Sequence, residues 1–204
     1  MDFTGLGDNM RLRHLAMALS KLPPHPQHDV TLEQYATEGD FAARWIAEIV
    51  QRGDLNDETR VVDLGAGNGI LGIGCYLAGA ASTLLVEKDG HCQHDYEGVE
   101  WFIGDIRDWD GTDVDLIIMN PPWGVQKEMA DRPFLEAAFK SDAQVVYLLH
   151  SARATHLSSL AKSVDWMGEI VLSGSFRIPA TYAHHQSNEG VTEVAVWRFT
   201  PNQC

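Results

Sequence analysis

From residue 60 onward, short apolar runs of strand character alternate with runs of helical periodicity, and this alternation constrains the fold more than any other feature of the chain. Strands are predicted over 60–64, 82–87, 99–103, 114–119 and 143–149, and helices over 69–78, 134–140 and 152–164. Parallel neighbours need a crossover connection, so this order implies a mostly parallel sheet with helices on both faces. Residues 168–176 and 191–199 are long strands that suit an antiparallel pair. Such sheets bind ligands beyond the carboxyl ends of their strands. Asp63, Glu87, Asp105 and Asn120 all fall at or just past those ends.

Ahead of the sheet, residues 8–22 read as an amphipathic helix stopped by Pro23-Pro24-His25-Pro26. A second helix over 38–51 places Phe41, Trp45, Ile46 and Ile49 on one face. The expected division is a helical extension, 1–55, and an α/β domain, 56–204. The length of 204 residues suits such a domain with a full core. The first twenty residues carry Asp, Arg and His without an apolar run, so no signal peptide is expected. The near-apolar segment 70–81 is too short and glycine-rich to span a bilayer. Cys75, Cys92 and Cys204 show no paired spacing and read as reduced thiols of a cytoplasmic protein. His91, Cys92 and His94 lack the spacing of a zinc site, and no metal is expected.

The tetrad Asn120-Pro121-Pro122-Trp123 ends the most apolar strand. It brings together a side-chain amide, a rigid backbone carbonyl and a flat aromatic ring. An exocyclic adenine amine is a poor nucleophile because its lone pair is delocalised into the ring. Two acceptors on that amine, the Asn120 side-chain oxygen and the Pro121 carbonyl, shift it toward tetrahedral geometry while Trp123 stacks on the base. This is catalysis by placed dipoles and orientation. The plainer reading of the same residues is a stiff turn after a strand.

Upstream, Asp63-Leu64-Gly65-Ala66-Gly67-Asn68-Gly69-Ile70 leaves a strand and opens a helix. Its Gly-x-Gly-x-Gly spacing differs from the dinucleotide fingerprint. It suits a small zwitterion such as methionine, with the carboxylate at the helix amino terminus and the ammonium near Asp63. Glu87 is placed to accept hydrogen bonds from ribose hydroxyls. Asp105 can accept from an adenine amino group, with the Ile106 amide beside it. An exposed glutamate and a helix cap are the ordinary alternatives for these two acids.

In this order the chain resembles the class I S-adenosylmethionine-dependent methyltransferases, in the group that methylates amines with an Asn-Pro-Pro-aromatic motif. Leu32-Glu33-Gln34-Tyr35-Ala36-Thr37 is similar to the Leu-Glu-Gln-Tyr-Pro-Thr segment of the small archaeal and eukaryotic adenine-N6 RNA methyltransferases that act on small-subunit rRNA. Residues 118–124, Phe134-Leu135, Val146-Tyr147-Leu148-Leu149-His150 and 178–185 extend the similarity. The resemblance implies an α/β, Rossmann-like fold with a seven-stranded, mostly parallel sheet and an antiparallel C-terminal hairpin. It also implies S-adenosylmethionine as cofactor, with Gln34 and Thr37 folded over it. Gly65, Asn68, Ile70, Glu87, Asp105 and Ile106 are implied as further contacts. The implied partners are RNA and a small zinc-binding activator subunit in a heterodimer.

Three features depart from that pattern. Trp123 stands for the usual Phe. The stretch from Glu87 to Asp105 leaves little room for a helix between two strands. The segment 184–189 has His184 and His185 but lacks the lysines that grip RNA. The formal net charge of −14 points the same way, since phosphate affinity rests on Lys and Arg. A surface suited to high salt, a basic partner, or a substrate other than nucleic acid each accommodates that charge. Protein glutamine N5 methylation, DNA adenine methylation and a non-catalytic scaffold are the competing functions. His150, at a strand end, reads as a hydrogen-bonded structural histidine.

Overall fold

In the computed structural model, residues 8–24, 37–123, 129–178 and 190–202 are described. The elements run α1 (Asp8–Leu19), α2 (Gly39–Gln51), β1 (Arg60–Leu64), α3 (Ile70–Leu77), β2 (Ser82–Glu87), β3 (Val99–Ile103), β4 (Leu116–Met119), α4 (Arg132–Lys140), β5 (Val145–Ser151), α5 (His156–Ser163), β6 (Trp166–Ile178) and β7 (Gly190–Pro201). One seven-stranded sheet has the order β3-β2-β1-β4-β5-β7-β6. The first five strands in that order are parallel; β7 is antiparallel to both β5 and β6. The predicted Rossmann-like sheet and antiparallel hairpin are both present. The helix predicted from Ala152 begins at His156, after a turn at 152–153 and two further residues outside the helix.

Alternation along the strands divides the core in two. Leu116 and Ile118 of β4, with Val61, Val145, Tyr147 and Leu149, face α1, α2 and α3. Ile117 and Met119, with Val62, Val146, Leu148 and Phe199, face α4 and α5. Both faces of β4 are therefore apolar, as a central parallel strand requires. On α2, Phe41, Trp45, Ile46 and Ile49 are all buried against the first of these clusters, together with Leu15 and Leu19 of α1.

The connection from β2 to β3 holds only a single 3-10 turn, Gly90–Cys92, and that from β3 to β4 holds another, Ile106–Asp108. The short stretch noted in the sequence indeed forms no α-helix. Beside Val62, Leu84 and Phe102 the sheet is bordered by a groove of about 870 Å³ that Trp109 also lines. No helix among the described residues is long and apolar enough to cross a membrane.

Candidate active site

Strand order reverses at β1: the chain runs outward to β2 and β3, then returns to β4 on the other side. The carboxyl ends of β1 and β4 flank this reversal, the position where open α/β sheets bind ligands. The register pairing Asp63 with Ile118 brings the loop after β1 alongside Asn120. Leu148 of β5 pairs with Met119, so His150 comes next to the tetrad.

The loop after β1 needs its glycines. Gly65, Gly67 and Gly69 all have positive φ, at 73°, 56° and 78°. A Cβ on Gly65 would meet the Phe134 ring at 2.7 Å, and one on Gly69 would meet Leu85 at 2.8 Å. Asn68 braces the turn: its Oδ1 accepts from the Ile70 amide at 3.3 Å, and its Nδ2 donates to the Pro23 carbonyl at 3.0 Å. A ring nitrogen of His94 lies 3.0 Å from the Asn68 carbonyl.

Asp63 is buried, and its Oδ2 accepts from the Gly72 amide in the first turn of α3 at 2.8 Å. Its Oδ1 has no partner among the described residues. Burial, and secondarily the Glu87 charge, push the Asp63 carboxyl up to about 7 against the pull of the Gly72 amide. Glu87 is also buried, with Oε2 accepting from Gly67 N at 2.9 Å and Oε1 from Asp89 N at 3.0 Å. A carboxylate has about four acceptor positions, so these two bonds leave capacity for hydroxyl donors.

Asp105 caps the Ile106–Asp108 turn through Arg107 N at 3.0 Å, and the Arg107 guanidinium meets both its oxygens at 2.7 Å. That side-chain pairing holds its carboxyl well below the usual range. The cap alternative thus describes Asp105 in this structure, while Ile106 is buried beneath it.

Asn120 lies just past β4, and its Nδ2 donates to Thr37 Oγ1 at 3.2 Å. Thr37 is 5% exposed. This bond turns the Asn120 side-chain oxygen away from Thr37. Pro121 is buried, and Pro122 and Trp123 are half-buried. The Trp123 ring stacks on His150, with centroids 5.8 Å apart and planes inclined by 27°. Gln34, Gly124, His184 and His185 lie outside the described residues.

Sequence reasoning did not find Asp131. It precedes α4, is 5% exposed, and lies 2.8 Å from His156 Nε2 and 3.3 Å from His150 Nε2. These three groups have ligand atoms within 4.8 Å of one another. Their separation along the chain hides them; only the adjacency of β4 and β5 brings them beside the tetrad.

No family model matches the chain. It is 32% identical to an uncharacterized protein of Methanocaldococcus jannaschii over 93% of its own length and 94% of the relative's. It is 29% identical to the rRNA N(6)-adenosine-methyltransferase Mettl5 of Drosophila melanogaster, over 93% of this chain and 96% of that one. A crystal structure of a candidate RNA methyltransferase from Pyrococcus horikoshii is similar to it with a TM-score of 0.83 and 32% identity, covering 95% of this chain and all of the other. The chain belongs to the class I S-adenosylmethionine-dependent methyltransferases.

The site of this methyltransferase fits its cofactor on two structural grounds. The buried Oδ1 of Asp63, unpartnered among the described residues, calls for a cationic donor, which the cofactor's ammonium group supplies. The Glu87 carboxylate is fixed by two backbone amides at the end of the neighbouring strand, where hydroxyl donors of a ribose would be received.

Proposed function

We propose that this methyltransferase modifies the N6 amine of an adenine in RNA, with small-subunit rRNA as the substrate class. The observation that carries the reading is the tetrad at the strand-order reversal, with its amide oriented by a buried threonine. The name of the Drosophila relative supports the same chemistry.

When bound, S-adenosylmethionine supplies an electrophilic sulfonium methyl group. Asp63, Gly65, Gly67, Asn68, Ile70 and Glu87 would hold it, with Asp105 and Ile106 toward the adenine end and Gln34 and Thr37 above. Asn120 and the Pro121 carbonyl accept the two hydrogens of the target amine and direct its lone pair toward the carboxyl end of β1. The amine proton is lost readily once the nitrogen is alkylated, so no strong base is needed. Trp123 supplies a stacking surface. The base has to leave its stack to reach this depth, which favours a single-stranded or loop target.

We further infer that residues 1–55 cap the cofactor. The bonds from Asn68 to Pro23 and from Asn120 to Thr37 support this by tying that segment to both halves of the site. A small zinc-binding activator subunit is the proposed partner. The exposed Ile103 on edge strand β3 and the groove beside Phe102 support a protein cover for this side of the sheet. Two buried thiols outside any disulfide, Cys75 and Cys92, support a reducing, cytoplasmic setting.

The test uses radiolabelled S-adenosylmethionine, unmodified small-subunit rRNA and total protein extract, with and without the activator subunit. Label in N6-methyladenosine, lost in Asn120→Ala, is expected. Label confined to protein would favour glutamine methylation and overturn the RNA reading.

A further inference from the structure

The Asp131, His150 and His156 group lies outside the tetrad and the cofactor loop, yet touches Trp123 through His150. Its spacing invites a metal assignment, but the hydrogen bonds argue against one. The Ser151 amide donates to His150 Nδ1 at 2.8 Å. Nδ1 is therefore an acceptor, and a neutral ring must carry its proton on Nε2. Ligation through Nε2 would require the opposite tautomer, with two N–H groups facing each other at Nδ1. Nε2 lies 3.3 Å from Asp131 Oδ2, near enough for electrostatic attraction to a proton on Nε2, though without the alignment of a hydrogen bond.

That contact has a structural purpose. Residues 150 and 131 are both nearly inaccessible, and Asp131 is fixed by His156 of α5 and by the first turn of α4. His156 Nε2 approaches Oδ2 at 2.8 Å, while the Asp131 carbonyl accepts from the amides of Phe134 and Leu135 at the start of α4. Burial would raise the Asp131 carboxyl, but the two histidines beside it outweigh this and keep it below its ordinary value. A fixed anion thus faces the edge of the His150 ring, and β5 fixes the backbone behind it. The opposing ring on the tetrad side is Trp123.

We propose that His150 is a positioning residue for methyl transfer: held between Asp131 and the Ser151 amide, its ring sets the plane of the Trp123 indole and so the orientation of a base stacked beside Asn120. His150 stacks on the indole, and the half-buried Trp123 also packs against the apolar cluster that α1, α2 and α3 cover. A tilt of the indole plane displaces the amine from the Asn120 and Pro121 acceptors, a loss felt in the chemical step rather than in cofactor binding. The catalytic half of the proposal rests on the adenine reading above; the structural half does not.

The experiment has two readouts. The protein contains six tryptophans. Labelling with 5-fluorotryptophan gives each a fluorine resonance, and Trp123→Phe identifies the one from Trp123. His150→Ala is expected to move that resonance and to lower kcat on small-subunit rRNA about tenfold, with the KM for S-adenosylmethionine unchanged. His150→Phe keeps a planar ring and is expected to recover most of kcat. Asp131→Asn keeps an acceptor without the charge and is expected to fall between. An unmoved Trp123 resonance in His150→Ala, a moved resonance with wild-type kcat, or no recovery in His150→Phe would overturn the proposal. If the wild type transfers no methyl to RNA, the RNA reading fails, and the Trp123 resonance alone then supports or overturns the positioning role.

Discussion

Replacing Asp63 with asparagine should make the fold's response to pH flatter while weakening its hold on the cofactor. The ordinary carboxyl value of 3.8 rises to about 7 at this site, through burial first and the Glu87 charge second. Each pH unit of such a rise is worth about 1.4 kcal/mol. The ionised, folded form therefore carries a penalty of about 4 kcal/mol above pH 7. Below 3.8 both folded and unfolded chains are protonated, and there is no effect. Between 3.8 and 7 the unfolded chain is ionised and the folded one is not, so stability falls as pH rises. From pH 5 to pH 8 the wild type should lose about 3 kcal/mol by this route. The introduced amide keeps an acceptor for Gly72 N–H but buries an unpaired NH₂, a cost of roughly 1–3 kcal/mol that is the same at every pH. Urea unfolding of both cofactor-free proteins between pH 5 and 8 measures the difference directly. The stability of Asp63→Asn relative to wild type should climb by about 3 kcal/mol across that range. In calorimetric titrations the wild type should bind S-adenosylmethionine more tightly from pH 5 toward 7, by up to about tenfold per pH unit, as the anion forms. Asp63→Asn should bind weakly throughout. Parallel stability curves for the two proteins would refute the assignment of this burden to Asp63.

Other perturbations probe the rest of the site and its support. Thr37→Val removes the acceptor for Asn120 and should lower the single-turnover rate about tenfold, with Thr37→Ser retaining most of it. Gly69→Ala forces a side chain to adopt φ of 78° against Leu85 and should cost roughly 1–3 kcal/mol in thermal or urea unfolding. Arg198 meets Asp54 through Nε at 2.7 Å and Nη2 at 3.0 Å, and Tyr147 donates its hydroxyl to the same carboxylate at 2.6 Å. Burial raises the Asp54 carboxyl, but these bonds outweigh it and hold it below 3.8. Its contribution is present above pH 3.8 and disappears as pH falls through the lowered folded value. Arg198→Met should cost roughly 2–3 kcal/mol at pH 7 in urea unfolding, and the gap should narrow under acid.

Local chemistry made much of this legible before any coordinates. The strands announce themselves through apolar runs, and the glycines of 65–69 stand where backbone φ is positive. Asn120 had to lie at a strand end because Pro121 blocks the continuation. What stayed hidden depends on distance along the chain. Nothing near Thr37 or Asn120 reveals that residues 83 positions apart share a hydrogen bond. Asp131 and His156 gain meaning only when β4 and β5 lie side by side. For Asp105 the sequence offered two roles, and a neighbour two residues away, Arg107, engages both oxygens. Trp166 and Trp109 are isolated aromatic residues without periodicity of their own; in the fold Trp166 is buried against Phe139, and Trp109 packs beside the same core.

The position of β7 has a consequence for biosynthesis. The strand formed by residues 190–201 lies inside the sheet, between β5 and β6, and pairs with β5 from Val146 to Ser151. Until that segment has left the ribosome, β5 presents an open edge, and β6 has no strand to join. His150 sits within the waiting stretch, opposite Ala195. The strand that carries His150 is thus paired by a late-arriving segment, and a nascent chain halted before residue 190 would expose apolar backbone edge to chaperones or to its neighbours.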